Sequence, residues 1–346
     1  MNITEIIVKT LGDPKMLAAV SSSILIILLG FYLRKKEIFD PKTSKILSKV
    51  VLMVAIPALA YKAFMVDINK ESLSNGINVL IWGFIIYILL IFVSKLFYVK
   101  YEGSKKEVLE VLTVFGSTTF FGIPIVGAFY GAEGVMYASI FNIAYRVFLY
   151  SFGYIKLTGI QISKENAKKM FINPIIIATF LGIFVWMFQG YLPQVKVNGA
   201  SYAFARIDQT ATWLYQPMVY LARLCSPLAW LAIGTKLAEI SLKQAVESKA
   251  SWHYSIMKVI AVPTINILLL ILLTVTGILP LSFVAVATVI IMMATPTATV
   301  AAAFAISADK EALLTSNSSL LSTVVSVICM PIWIIILEII KNANIF

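Results

Sequence analysis

The chain has 346 residues, 60% of them hydrophobic and only 13% charged, about half the charged share of a soluble domain, and its mean hydropathy of +0.91 excludes a soluble globular protein. The net charge of +11 does not mark a nucleic-acid binder, because the basic residues fall in short loops between apolar runs. Two cysteines in apolar segments and a single histidine without ligand-spaced companions argue against a disulfide framework or a metal centre, and no cofactor motif is present.

A bilayer-spanning helix takes about 20 mostly apolar residues. Ten such segments are read in chain order: 16–34, 46–66, 77–99, 108–130, 134–157, 171–191, 212–236, 254–277, 282–306 and 312–340. The first follows a polar lead carrying both charge signs and is long enough to span, so it reads as a helix and not as a cleaved leader. Lysine and arginine set the orientation. The first loop holds Arg34, Lys35, Lys36, Lys42, Lys45 and Lys49; the third Lys95, Lys100, Lys105 and Lys106; the fifth Lys156, Lys164, Lys168 and Lys169; the seventh Lys236, Lys243 and Lys249. Even-numbered loops are poor in both residues. Odd loops are therefore expected in the cytoplasm and both termini outside it.

Two spans are interrupted. Gly116 to Gly131 reads GSTTFFGIPIVGAFYG, and Met293 to Thr299 reads MATPTAT. Pro124 lacks an N–H and its ring clashes with the Phe120 carbonyl, so the fourth helix is expected to break there; Pro296 sets the same expectation for the ninth. Unsatisfied backbone in a bilayer costs several kcal/mol per group, so it persists only where protein or a water-filled cavity supports it. A pair of interrupted spans points to a transporter's binding site. The halves also repeat: Ile56-Pro57-Ala58-Leu59-Ala60 resembles Ser226-Pro227-Leu228-Ala229, and Ala128-Phe129 resembles Ala303-Phe304. The last offset sets Asn142 against Asn317. Five helices per repeat is an odd number, so the second repeat is inverted, with halves at 1–160 and 161–346.

Phe-Phe-Gly-Ile-Pro-Ile (120–125), Ser-Pro-Leu-Ala-Trp-Leu-Ala-Ile-Gly (226–234), Ala-Thr-Pro-Thr-Ala (294–298), Leu-Ser-Thr (321–323) and Met-Pro-Ile-Trp (330–333) together resemble the auxin efflux carrier family, in its bacterial organic-acid permease branch. The resemblance covers essentially the whole chain. It implies an all-α integral membrane fold of ten helices, in two inverted five-helix repeats. Helices four and nine would be broken and cross. Helices one, two, six and seven would form a scaffold, and three to five and eight to ten a transport unit. It also implies a homodimer in a bacterial cell membrane and a small organic anion as cargo, malate or a related dicarboxylate. One departure stands out: many members carry an asparagine before the span-four proline, where this chain has Ser117-Thr118-Thr119.

Arg146 is the sharpest single residue, about 18–20 Å from either end of the fifth span at 1.5 Å per residue. A mid-span arginine is expensive and should face the interior with a partner. Asn142 lies at i−4 on its face, and no acidic residue shares its depth, so the partner is read as a substrate carboxylate, or alternatively as helix-end carbonyls. The expected substrate contacts are Arg146, Asn142, Thr118, Thr119, Pro124, Pro296, Thr297, Asn317 and Ser318. Helix N-termini restarting near Pro124 and Pro296 would supply amides to an anion. Arg223, also near mid-depth, is read as a scaffold or dimer contact as readily as a substrate contact. Lys62 and Lys258 are read as snorkelling from helix ends, and Glu239–Lys243 as a solvated i, i+4 pair. Ser318, Ser322 and Ser326 form a stripe of the kind that packs membrane helices. No HExxH, GxSxG, P-loop or intramembrane carboxylate pair argues for an enzyme. The alternative reading is a sodium- or proton-coupled carrier of related broken-helix build, moving an auxin-like or bile-acid-like anion. A receptor built on the same fold is a third.

Overall fold

The structure, a computed structural model, describes residues 14–40, 42–159, 173–239 and 242–343. The expected boundary at 160/161, Lys164, Lys168, Lys169 and the first two residues of the expected sixth span lie outside them.

The chain folds as helices punctuated where the sequence supplies caps. First come α1 (Pro14–Lys35), α2 (Thr43–Ala63) and α3 (Lys70–Phe97). The third starts well ahead of the expected residue 77 because Asn69 and Ser72 form a capping box. The Ser72 N–H donates to the Asn69 side chain at 2.7 Å, and the Asn69 N–H to the Ser72 hydroxyl at 3.3 Å, satisfying two otherwise orphaned donors. Next, α4 (Gly103–Val114) stops where the fourth span should be half crossed, and α5 (Thr118–Thr158) resumes three residues on. It covers the rest of that span and all of the fifth, turning at Gly131. There φ is 60° and ψ −145°, a conformation that strains any residue with a Cβ.

Beyond it, α6 (Pro174–Phe188) opens with Pro174 in its first turn and Asn173 as its cap. It is shorter than the expected 171–191, because the chain turns into a hairpin of β1 (Gln194–Val197) and β2 (Ala200–Ala203). Asn198 and Gly199, both at positive φ, make the tight turn; this Asn-Gly signal is a departure from the all-α expectation. Then come α7 (Thr212–Glu239), interrupted at Leu224, α8 (Lys249–Val275), α9 (Phe283–Met293), α10 (Thr299–Ser307) and α11 (Ala312–Asn342). Among the described residues, six helices, α2, α3, α5, α7, α8 and α11, are long and apolar enough to cross a membrane.

The helices pack in two sets. In one, α1 packs on α7, and α2 on α6 and α7. In the other, α3 packs on α4 and α5, α9 on α5 and α8, and α11 on α8 and α10. The sets meet where α2 and α7 reach α5. Contact between α1 and α7 is backbone to backbone: a Cβ on Gly234 would overlap the Ile27 carbonyl, and one on Gly30 the Leu231 carbonyl. Small residues at such a crossing let membrane helices approach closely.

Loop contacts join odd loops with odd and even with even. Lys310 bonds Glu107 at 2.5 Å and the Lys156 carbonyl at 2.8 Å, and Ser104 bonds Glu311 at 2.7 Å. Glu239 accepts from Ser44 at 3.1 Å and lies 3.8 Å from Arg34; the side chain of Lys243 lies outside the described residues. On the even side, buried Arg206 pairs with Asp208 at 2.8 Å and Asp67 at 2.7 Å, and Asn78 donates to the Pro280 carbonyl at 2.7 Å.

Candidate functional site

The two interruptions meet. Phe115–Ser117, between α4 and α5, runs antiparallel to Ala294–Ala298, between α9 and α10. The Ser117 N–H donates to the Pro296 carbonyl at 2.7 Å and the Ala298 N–H to the Phe115 carbonyl at 3.1 Å, with Gly116 opposite Thr297. A Cβ on Gly116 would collide with Thr295 Oγ1 and stand 3.0 Å from Lys258 Nζ, so only glycine lets the segments close.

Side chains take four more of the backbone carbonyls at the junction. A helix end leaves carbonyls without intrahelical donors. At the end of α4, Leu112 O accepts from the Tyr254 hydroxyl at 3.1 Å and Thr113 O from Lys258 Nζ at 3.0 Å. At the end of α9, Met292 O accepts from Thr295 at 2.8 Å and Ala294 O from Ser326 at 2.7 Å. Thr297 shares hydroxyl bonds with Tyr254 at 2.7 Å and Ser322 at 2.9 Å, and its N–H reaches Ser322 at 3.3 Å. Ser318 reaches Ser251 on α8 at 3.3 Å. The serine stripe of α11 thus braces the ninth-span break and α8.

The breaks do not fall at the prolines. Helix resumes at Thr118, ahead of Pro124, and at Thr299, after Pro296. Thr118–Gly122 is a π turn, in which the Ile123 N–H bonds the Thr118 carbonyl. Pro124 follows it at the start of regular helix, where its missing N–H is tolerated, and its carbonyl accepts from Ser226 at 2.7 Å. Pro296 sits in extended chain, and its carbonyl is part of the bridge.

Beside this junction lies a cavity of about 200 Å³. On its α5 side are Ile123, Ser139, Asn142, Ile143, Arg146 and Val147; α6 contributes Ile175, Ile176, Thr179 and Phe180. It therefore lies between the two packing sets. Ser139, Asn142 and Arg146 follow one another on one face of α5. Ser139 Oγ and Asn142 Oδ1 are buried without a hydrogen-bond partner, while Asn142 Nδ2 reaches Thr119 in the first turn of α5 at 3.5 Å, the outer limit of a hydrogen bond. Arg146 is half-buried on the cavity wall, and among the described residues it makes no hydrogen bond or ion pair. A permanent cation beside two unpaired polar atoms is an arrangement that a polar anion completes.

Of the expected contacts, Arg146 and Asn142 line this cavity and Thr119 adjoins it; Thr118 is buried in the same turn as Thr119. Thr297 and Ala298 spend their donors on the junction. Ser318 is bonded to α8, and Asn317 is half-buried with no hydrogen bond among the described residues. The bridge sets Gly116 opposite Thr297, whereas the offset read from Ala128 and Ala303 would set Gly122 there. Arg223 is exposed at the interruption of α7 and belongs to neither cavity nor junction.

Three residues escaped the sequence reading. Ser139 and Thr179 are ordinary polar residues in apolar helices, and nothing in the sequence marks them. Lys258 does not snorkel: it is wholly buried. The helix was expected from 254, one turn before it, but α8 begins at Lys249, where the Ser248 side chain accepts from the Ser251 N–H. Ser248 is the N-cap signal that would have placed Lys258 well inside.

Residues 16–334 match the family model described as membrane transport protein. The uncharacterized transporter MJ1031 of Methanocaldococcus jannaschii is 20% identical over 233 residues, which cover 64% of this chain and 69% of that protein. With nearly its whole length matched, this chain, an integral membrane transporter, belongs to the membrane transport protein family of auxin efflux carrier type.

Proposed function

We propose that the chain is a secondary carrier for a small hydroxy-dicarboxylate, malate or a close relative, held in the cavity between α5 and α6. The observation that carries this is Arg146, which lines the cavity with no counter-charge among the described residues. A carboxylate pairs with a guanidinium in a bidentate fork, and an unpaired charge inside a membrane span is costly. The second carboxylate lies toward Thr118 and Thr119, where the first amides of α5 have no intrahelical acceptor and favour an anion. Asn142 Oδ1, an acceptor only, accepts a hydrogen bond from the substrate hydroxyl. This is a reason to prefer malate over succinate.

The two packing sets supply the motion. With α1, α2, α6 and α7 as the scaffold and the other helices as the moving unit, a shift of α5 past α6 opens the cavity alternately to either side. The basic odd-loop end faces the cytoplasm. Purified protein in proteoliposomes is offered labelled malate, succinate, citrate, lactate and indole-acetate under a pH gradient and under a membrane potential. Malate is expected to move fastest, succinate more slowly and lactate not at all. If no labelled acid moves under either gradient, the reading is wrong.

A further inference from the structure

Lys258 is a lysine buried inside α8, and among the described residues no carboxylate pairs with it. Its head group sits at the junction: it donates to the Thr113 carbonyl at 3.0 Å, and a Cβ on Gly116 would stand 3.0 Å from Nζ and collide with Thr295 Oγ1, so both face Gly116. Thr113 O is a terminal carbonyl of α4, and helix C-termini carry about half a negative charge. An ammonium has three donors, one of which is assigned to Thr113. In broken-helix carriers, such helix ends and unwound carbonyls are the groups that coordinate a coupling cation.

We propose that Lys258 is a tethered cation: its ammonium fills, from within the chain, a monovalent-cation site at the end of α4. Three features carry this. The head group lies at the negative end of a half-helix. Its neighbours there are oxygens, the Thr113 carbonyl and the Thr295 hydroxyl, which suit a hard alkali cation. Among the described residues no carboxylate pairs with Lys258, so the carbonyl end of α4 is the group that offsets a positive charge there. Two consequences follow. The native carrier needs no sodium. Removing the ammonium leaves an oxygen-lined space that sodium, with water, enters.

The test does not depend on the substrate assignment, because it reads cation binding to purified protein. Wild type, Lys258→Ala and Lys258→Met are extracted in sodium chloride and in choline chloride. Radioactive sodium binding and thermal unfolding are then measured. Wild type is expected to bind no sodium saturably and to melt at the same temperature in both salts. Lys258→Ala is expected to bind one sodium per chain, with a melting temperature several degrees higher in sodium than in choline. Lys258→Met, whose side chain refills the space without a charge, binds none. Saturable sodium binding by wild type overturns the proposal. So does a folded Lys258→Ala that binds no sodium, since Lys258 is then only a hydrogen-bond anchor. If Lys258→Ala is monodisperse in sodium and aggregates in choline, the proposal stands; aggregation in both salts counts against it.

Discussion

At the scale of single residues, the charges inside this molecule divide by what answers them. Arg206 is answered by Asp208 and Asp67, Lys258 by a helix-end carbonyl, and Arg146 by a cavity. This makes Arg146 the residue whose chemistry is legible through substitution. Arg146→Lys keeps the charge but loses the planar fork. The dissociation constant for malate is expected to rise about 10- to 100-fold, the loss of one charge-assisted hydrogen bond, while that for lactate changes little. Equilibrium binding of both acids to wild type and variant checks this; an equal change for both would show that Arg146 only shapes the protein. The arginine was visible in the sequence because a charge deep in an apolar run stands out. Lys258 was equally visible as a letter, yet its depth depended on one N-cap residue.

At the scale of elements, the two breaks form one structure built from distant sequence. Proline marked the neighbourhood of each break but not its position, since a π turn absorbs Pro124 and extended chain holds Pro296. What places the breaks is closure: Gly116 and Thr297 come face to face, and the nearby Leu112, Thr113, Met292 and Ala294 carbonyls find donors on α8, on α11 or within the ninth-span break itself. Such pairing is invisible to a reading that takes one span at a time. Gly116→Ala forces Thr295 and Lys258 aside, and overpacking of this kind costs about 1–3 kcal/mol. The variant is expected to melt several degrees below wild type in detergent. Gly190→Ala is the control, open in space and free of positive φ; melting no lower than that control would show that the junction has slack.

At the scale of the whole molecule, the alternation of basic loops carried most of what was legible: contacts at the two ends respect it, odd with odd and even with even. The hairpin at 194–203 and the shortness of α6 were not legible, because a membrane reading seeks long apolar runs and passes over an Asn-Gly turn. One end of the molecule is pH-sensitive. Glu107, half exposed ahead of the fourth span, is bonded by Lys310, with Lys156 close by, and its carboxyl is held below its ordinary value. A lowered folded pKa contributes stability above the ordinary value of 4.5 and loses it as pH falls through the lowered one. Wild type is therefore expected to lose more melting temperature than Glu107→Gln between about pH 5 and about pH 3, by a small margin that high salt erases. An equal loss in both proteins would show that the pair contributes nothing. The antiparallel bridge also bears on how the chain is made. Residues 115–117 leave the ribosome long before 294–298, and N-terminal segments fold first during synthesis. Until the second half arrives, the Ser117 N–H and the Phe115 carbonyl have no partner inside the bilayer, so the first half must wait in a hydrated or chaperoned state. Assembly of this carrier is committed only when its ninth span is inserted.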